Sequence, residues 1–589
     1  MKIFKNNILT KLTGLLLLTA VLFTLFSQKK WNEKDGVITA DVRGYYAYLP
    51  AIFIYDDIKL EHPEKFGYDI WFLEAEDGTR SIKYTTGMSI LYSPFFFAAH
   101  VMAEYIGEKQ DGFSYPYKFA LVMSSVFYLI VGLIFLSKFL LLYFKDSTVA
   151  ITLLVIFAGT NAFYYYTLGM TFSHGYSLAL LSIFMYSSAR WLMSPKYKWA
   201  LLIGISAGLL ILVRPIDIVF LLFLPLFGVS FSSSSNKEGH SLIARVNYFW
   251  KNWKHVLLML VLFLFMLAPQ LAYFYRISGS IFHYPYTGES FFFLKPQIYD
   301  SIFSYRNGWL VYSPLMLFSL VGLFFLKQMK IKSSLFLLSV ICIYVYIISS
   351  WWCWWYVGFG NRAFINLYPI LSIPLACFIQ FILSQKVFHR IVFKLVVIAG
   401  IVLSVFQIYQ TETGAIHWGA MTKEAYWDSF GREEPSELLN SFLRFPVDEE
   451  VMKGVDAIHS PFENTIYSWR KSFDKANPED TVFNPFIQWK KRYSGKGALF
   501  IPKENIYSLL HPISVKNINR IYISAWVQNP DDVYLTLAGN DTTPFYSTSR
   551  KVNKTHGEWS KIDLYATIPD DFGMNTVNFY IYNVGGEDL

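Results

Sequence analysis

The sequence predicts an all-α polytopic membrane module of about eleven transmembrane helices plus a juxtamembrane helix, followed by a mainly-β soluble domain. Three observations carry this. Of 589 residues, 54% are hydrophobic and 19% aromatic, and only 16% are charged, where an average soluble chain has about 25% charged residues. Continuous apolar runs such as Val256–Leu267 and Leu335–Ile348 recur through the first two thirds and leave no polar face for water. After residue 408 the pattern changes to short stretches that alternate apolar and polar.

The first element is the run Leu12–Phe26, preceded by Lys2, Lys5 and Lys11. It has the outline of a signal peptide, but Gln28-Lys29-Lys30 is a poor exit and no small-x-small cleavage site follows, so a retained helix is expected. The later spans are expected at about 117–144, 148–167, 175–193, 199–213, 215–231, 256–275, 309–326, 333–350, 363–384 and 391–408, after the first at 12–27.

Loop charges orient the module. Four short loops are basic and nearly free of acid: Lys196/Lys198, Lys237/Arg245/Lys251/Lys254, Lys327/Lys330/Lys332 and Lys386/Arg390/Lys394. The positive-inside rule puts them in the cytoplasm, together with the N-terminus. Residues 28–86 hold eleven acidic groups and read as an outside loop. This parity holds only if Met88–Ile106, which contains Pro94, His100 and Glu104, lies at the interface instead of spanning. The expectation is an integral protein of the cell (inner) membrane with its C-terminal part outside.

The net charge of +8 conceals a division: residues 1–408 carry 33 Lys and Arg against 19 Asp and Glu, residues 409–589 carry 18 against 24. A basic membrane part with an acidic tail speaks for membrane lipids as partners and against nucleic acid. The three cysteines, Cys342, Cys353 and Cys377, all lie in or beside apolar segments, so the tail is no disulfide scaffold. Two domains follow: a membrane module at 1–408, with a large outer loop at 28–116, and an outer-face soluble domain at 409–589. Its helical linker precedes period-two runs at Ile521–Val527, Val533–Ala538, Lys561–Ile568 and Val577–Val584. Turn residues separate these runs, which is the pattern of a β-sandwich or jelly roll. Tyr522, Trp526, Tyr534, Tyr565, Tyr580 and Tyr582 fall opposite the apolar positions, where they could form a sugar-binding platform or a packing face.

With this orientation the polar clusters share the outer side: the first loop, the turn at Thr167–Gly175, Arg214-Pro215, residues 276–308, and Trp351–Arg362. Arg214 and Asp217 sit between two short apolar runs, either paired with each other or placed for function.

Several of these segments resemble the GT-C glycosyltransferases, the group of the protein O-mannosyltransferases and the lipid A aminoarabinose transferase. Asp41-Val42-Arg43-Gly44-Tyr45-Tyr46-Ala47-Tyr48-Leu49-Pro50 resembles their acidic first-loop motif. Lys83-Tyr84-Thr85-Thr86-Gly87-Met88 looks like their Lys-x-Pro-Pro segment opening a juxtamembrane helix, with Thr85-Thr86 in place of the prolines. Gly204–Pro215 resembles their Gly-rich helix ending in a basic residue and Pro. Trp354-Trp355-Tyr356-Val357-Gly358, followed by Gly360-Asn361-Arg362, looks like their late Trp-rich loop, with Asn361 in place of a proline.

The resemblance implies transfer of a sugar from a polyprenyl-phosphate donor to a hydroxyl of a glycan, lipid or protein, with inversion. Such a reaction needs a carboxylate for the acceptor proton and cations for the departing phosphate. Asp41 is the expected base, against the plainer reading of a loop carboxylate paired with Arg43; Asp35, Asp56 and Asp57 stand behind it. Lys83, Arg214 and Arg362 are the expected phosphate groups, ahead of Arg276 and Arg306. Arg43, Tyr45, Tyr46, His174, His283 and Trp355 are candidates for substrate contact, although tryptophans at an interface also form aromatic belts. A divalent metal ion is left open as a cofactor, since no HExxH-like spacing occurs. Two other classes compete: a transporter or flippase of lipid-linked glycans, which would show internal repeats and charges in both leaflets, and a non-catalytic membrane-anchored glycan-binding protein.

Overall fold

A computed structural model of the chain describes residues 7–74, 78–229, 241–286, 288–326, 334–436, 439–446, 451–454 and 458–459, and the strands between 487 and 583. The basic positions Lys237, Lys327, Lys330 and Lys332 lie outside the described residues. The chain divides into two compact units, Met1–Pro461 and Phe462–Leu589. The charge and pattern change falls at 408, but residues 409–461 belong to the helical unit. The ion pair Lys30–Glu412 (2.8 Å) and the bonds from Asn307 to the Trp418 carbonyl and Arg306 to the Arg444 carbonyl tie them there.

The first unit is helical. Its principal helices are α1 (Ile8–Gln28), α2 (Asp41–Phe53), α3 (Gly87–Ile106), α4 (Tyr115–Leu140), α5 (Asp146–Ala158), α6 (Ser173–Met193) and α7 (Tyr197–Val213). They continue with α8 (Leu242–Lys251), α9 (Trp253–Ser278), α10 (Ser334–Ser349), α11 (Tyr368–Leu383) and α12 (Val387–Thr413). Among the described residues five segments are long and apolar enough to cross a membrane: Ile8–Asn32, Tyr115–Leu140, Trp253–Ser278, Arg362–Leu383 and Val387–Thr413. The helix α3 is not among them.

Five further expected spans are shorter apolar helices of 10–17 residues: Asp146–Ala158, Tyr197–Val213, Pro215–Leu226, Pro314–Phe325 and Leu335–Ser349. Two of them are broken by proline. Pro215–Leu222 winds as a 3-10 helix before one α-turn, Phe223–Leu226, and Pro314–Phe325 alternates 3-10 and α turns. A helix of 13 residues at about 1.5 Å per residue reaches about 20 Å, short of the roughly 30 Å hydrocarbon layer.

Close helix contacts depend on glycine. Gly204 and Gly208 on α7 meet Met259, Leu262 and Met266 of α9 where a Cβ would collide with backbone, the small-xxx-small geometry that lets two apolar helices approach. Gly87, opening α3, lies against the peptide between Leu212 and Val213 at the end of α7. Asp146, the first residue of α5, accepts hydrogen bonds from the amides of Leu9 and Thr10 (2.9 Å each) and so caps α1 from another helix.

In the second unit, after the short antiparallel pair Ile487–Gln488 and Ala498–Leu499, the longer described strands are β3 (Tyr507–Ser514), β4 (Arg520–Val527), β5 (Val533–Ala538), β6 (Tyr546–Ser549), β7 (Val552–His556), β8 (Trp559–Thr567) and β9 (Thr576–Asn583), where β1 and β2 are the pair Phe72–Glu74 and Arg80–Ile82 of the first unit. They form two antiparallel sheets, ordered β6-β5-β9-β3 and β7-β8-β4. Val533, Leu535, Leu537, Val577, Phe579 and Ile581 from the first sheet and Ile562, Leu564 and Ala566 from the second share one hydrophobic core. The register divides the six aromatic positions. Tyr522 pairs with Tyr565 and Trp526 with Lys561 in the three-stranded sheet. Tyr582 pairs with Tyr534 and Tyr580 with Thr536 in the other. No single described sheet carries all six.

Candidate functional site

Asp41 is the first residue of α2, and Ala40 before it is held at φ +45. A non-glycine residue in that region costs roughly 1–3 kcal/mol and persists only where its surroundings enforce it. The carboxylate is 9% exposed and is bound from three sides. Arg362 Nη2 lies 2.7 Å from Oδ2, the Tyr84 hydroxyl donates to Oδ1 at 3.0 Å, and the Tyr45 hydroxyl lies 3.4 Å from Oδ2 and 3.2 Å from Ser173 Oγ. Burial, and after it the charge of Asp41, pushes the Tyr45 hydroxyl up to about 12. The same two causes raise Tyr84. Both phenols therefore stay protonated and act as donors.

Asp41 and Tyr45 are four residues apart on one helix and share a face, whereas a step of two turns Arg43 about 200° away. Arg43 accordingly pairs with Asp69, and with Asp35 at 3.3 Å, beside a cavity of about 340 Å³ that Lys34, Gly67 and Tyr68 also line. The pairing of Asp41 with Arg43 that a loop would favour does not occur. Tyr46 also turns away. It is fully buried, packs against Tyr92, Phe96 and Phe113, and donates to the Gly112 carbonyl at 2.5 Å.

Arg362 opens a 3-10 turn, Arg362–Leu367, and is 9% exposed. Its guanidinium lies 4.9 Å over the Phe172 ring, and its Nε and Nη1 have no hydrogen-bond partner. Arg214 terminates α7 and lies 5.8 Å over the ring of Tyr356, a residue itself at φ +37. Its Nη1 is 3.3 Å from His174 Nε2, and its Nε is buried without a partner. The carboxylate of Asp217 accepts from Asn366 Nδ2 at 2.8 and 3.0 Å, with the Tyr344 hydroxyl at 3.4 Å, so its hydrogen bonds come from these groups and not from Arg214. Asp41, Tyr45, His174, Arg214 and Arg362 thus converge around two guanidinium groups that retain unused N–H donors.

Lys83 is held differently. It forms an ion pair with Glu289, and its ammonium lies 5.4–5.8 Å from the rings of Trp71, Tyr84 and Tyr286, while Trp352 Nε1 donates to the other Glu289 oxygen at 3.0 Å. Its charge is already matched. The segment after it is anchored beside Arg214, since Thr85 Oγ1 donates to the Leu212 carbonyl and the Thr86 amide to Gln270 at 2.7 Å.

The other candidates stand apart. His283 packs on Phe274 with ring centroids 5.7 Å apart. Trp355 is buried against Trp352 and Trp354 under the Arg306 guanidinium. Asp57 caps the amides of Glu61 and His62 at 2.8 Å, Asp56 stands at φ +47 in the same loop, and Arg276 is exposed in the last turn of α9. Among the described residues no three His, Cys, Asp or Glu side chains converge as a metal ligand set.

Reading the sequence did not single out Tyr84, Glu289, Asn366 or Tyr344. Glu289 had a signal, being one of two carboxylates in residues 276–308, and Asn366 another, standing four residues after Arg362 in an apolar run. Tyr344 had none. Comparison of the chain with protein-family models, with curated proteins and with solved structures finds no match in any of the three.

Proposed function

We propose that the chain is a membrane glycosyltransferase of the GT-C type, which moves a sugar from a polyprenyl-phosphate donor to a hydroxyl of a glycan, lipid or protein at the outer face of the membrane. In this reading the five long and five shorter apolar helices, with α6, make eleven spans, α3 lies at the interface, and the two C-terminal sheets form a sandwich that binds glycan. One observation carries the reading: the buried carboxylate of Asp41, the buried Arg362 and the half-buried Arg214, both arginines with unused N–H groups, meet in an aromatic-walled site. An acid–base step that expels a phosphate needs these groups and little else.

Asp41 takes the proton of the acceptor hydroxyl as its oxygen bonds to the anomeric carbon. The bond from that carbon to the phosphate oxygen breaks from the opposite side, and the lipid phosphate leaves with the electron pair. Arg362 and Arg214 receive the charge that develops on it. Tyr84 and Tyr45 orient the carboxylate by donating to it.

The test is purified protein in detergent with a panel of radiolabelled polyprenyl-phosphate sugars and an envelope acceptor extract. Asp41→Asn is expected to lower transfer by about 10²–10⁴. Wild-type transfer by that variant would remove Asp41 from the mechanism, and no transfer by any form across the panel would favour a transporter of lipid-linked glycans.

A further inference from the structure

Arg214, His174, Asn366 and Asp217 form a chain of hydrogen bonds whose direction is fixed at each link. Asp217, as a carboxylate, can only accept, so the amide nitrogen of Asn366 faces it, at 2.8 and 3.0 Å from its two oxygens. The Asn366 Oδ1 is thereby turned toward His174, 3.0 Å from Nδ1. A carbonyl oxygen cannot donate, so Nδ1 carries the proton. At the far side of the ring Arg214 Nη1, which has only protons to offer, lies 3.3 Å from Nε2, so Nε2 is bare. His174, Asn366 and Asp217 are all 0% exposed, and no solvent competes with this order. The imidazole is neutral and protonated on Nδ1, the opposite of the tautomer that free histidine prefers.

We infer that Asp217, Asn366 and His174 are a positioning relay that holds the Arg214 guanidinium by one nitrogen, leaving its buried, unpartnered Nε to a phosphate oxyanion. Two features distinguish this from ordinary core packing. The carboxylate is separated from the neutral imidazole by Asn366 instead of bonding the arginine, so Arg214 is fixed in place without a directly bonded counterion. A direct Arg214–Asp217 pair would occupy the donors that an anionic ligand needs. The relay therefore orients the cation while leaving its Nε donor unoccupied, as outer-shell partners orient a metal ligand. The chain spans three separate segments, the start of α6, the end of α7 with the turn after it, and Arg362–Leu367, so it also sets their spacing at the site.

The inference rests on the donor-phosphate reading of Arg214, and the experiment separates the two. Selective ¹³C,¹⁵N-histidine labelling of the full chain in lipid, with the His174 signal identified by its loss in His174→Gln, reports the tautomer directly. The relay requires a neutral ring protonated on Nδ1; a ring protonated on Nε2 or on both nitrogens overturns it. In parallel, binding of a polyprenyl phosphate to the purified chain is measured for wild type, Asp217→Asn, His174→Ala and His174→Gln, each first shown to be monodisperse. Asp217→Asn and His174→Ala are expected to weaken binding about 10-fold, the lower end of what losing an orienting partner costs a bound ion. His174→Gln, whose amide can accept from Arg214 and donate to Asn366, is expected to recover most of it. Unchanged affinity in Asp217→Asn and His174→Ala overturns the relay. No binding by wild type sinks the transferase reading, and the relay is then decided by the tautomer alone.

Discussion

Asp41→Asn perturbs more than the acceptor's proton, because Asp41 is also the counterion of a buried arginine. At 2.7 Å and an effective dielectric of about 20, the gross attraction of the Asp41–Arg362 pair is about 6 kcal/mol. Desolvation cancels much of that, but removing one member leaves the other charged and buried, which typically costs about 3–5 kcal/mol. Loss of transfer in Asp41→Asn alone would then have two explanations. A cycle separates them: Asp41→Asn, Arg362→Gln, and both together, each followed by denaturation in mixed micelles and by the transfer assay. Each single variant is expected to lose about 3–5 kcal/mol of stability, and the double variant less than either, since no uncompensated charge remains. Transfer is expected to stay lost in the double variant, whose fold is restored but whose base and phosphate ligand are both gone. Additive stability losses would refute the coupling of the pair. Transfer recovering with stability would refute a chemical role for either residue.

Three other outcomes follow. With the native cysteines replaced, a cysteine at Glu74 is expected to react with an impermeant reagent in intact cells and one at Lys386 only after permeabilisation; external reaction at Lys386 would invert the orientation and the outward site with it. In the second unit, Trp526→Ala is expected to weaken binding of the full chain to envelope polysaccharide; unchanged binding by that variant would refute a glycan-binding role for the aromatic position it occupies. Burial pushes His417 down to about 4, and its Nδ1 accepts from the amides of Gly419 and Ala420 at 3.1 and 3.0 Å. Above about pH 6.5 the ring is neutral folded and unfolded, so stability is unaffected; as pH falls toward 4 only the unfolded chain takes the proton and stability falls, by at most about 3 kcal/mol. Denaturation at pH 7 and pH 4.5 should show this loss reduced in His417→Asn, and an identical loss in both proteins would refute it.

How much of this was legible depended on what each signal encodes. The apolar runs that became α1, α4, α9, α11 and α12 were legible because a long uniform run admits one structure in lipid. The breaks at Pro215–Leu226 and Pro314–Phe325 were not, since hydropathy sums composition and is blind to a 3-10 winding after proline. Four strands of the second unit, β4, β5, β8 and β9, were legible to within a residue or two because period two is a direct image of the pleat, whereas β3, β6 and β7 were not read from the sequence. At the site, Arg214 stood out as an ionisable residue between two short apolar runs, and Asp41 and Arg362 through the motifs in which they stand. The side each faces was not legible. Treating 41–50 as a loop makes Arg43 the natural partner of Asp41; treating it as a helix forbids that pairing and selects Tyr45. Lys83 shows the converse: as a cation beside the motif it was expected to be free, but Glu289 arrives from two hundred residues further along the chain, a distance no local pattern records.

The placement of the charges on helix ends accounts for which of them remain open. Asp41 lies in the first turn of α2, where the unpaired amides and the dipole favour a carboxylate, and Arg214 closes α7, where they favour a cation. Each is stabilised by its own helix by about 0.3–1 kcal/mol, and more where partly buried. Arg362 has no such help. It stands at the start of the Arg362–Leu367 turn, the end that repels a cation, and it is 9% exposed. Its one ion pair, with Asp41, uses a single nitrogen and leaves two others buried and unpaired. Its charge is met directly by Asp41, whereas Arg214 has no directly bonded counterion, but Arg362 keeps two buried nitrogens without a partner against one on Arg214 and so offers an anion the larger number of unused donors. That is the physical reason for assigning the departing phosphate to Arg362 first and to Arg214 second, with Lys83, already matched by Glu289, outside the set.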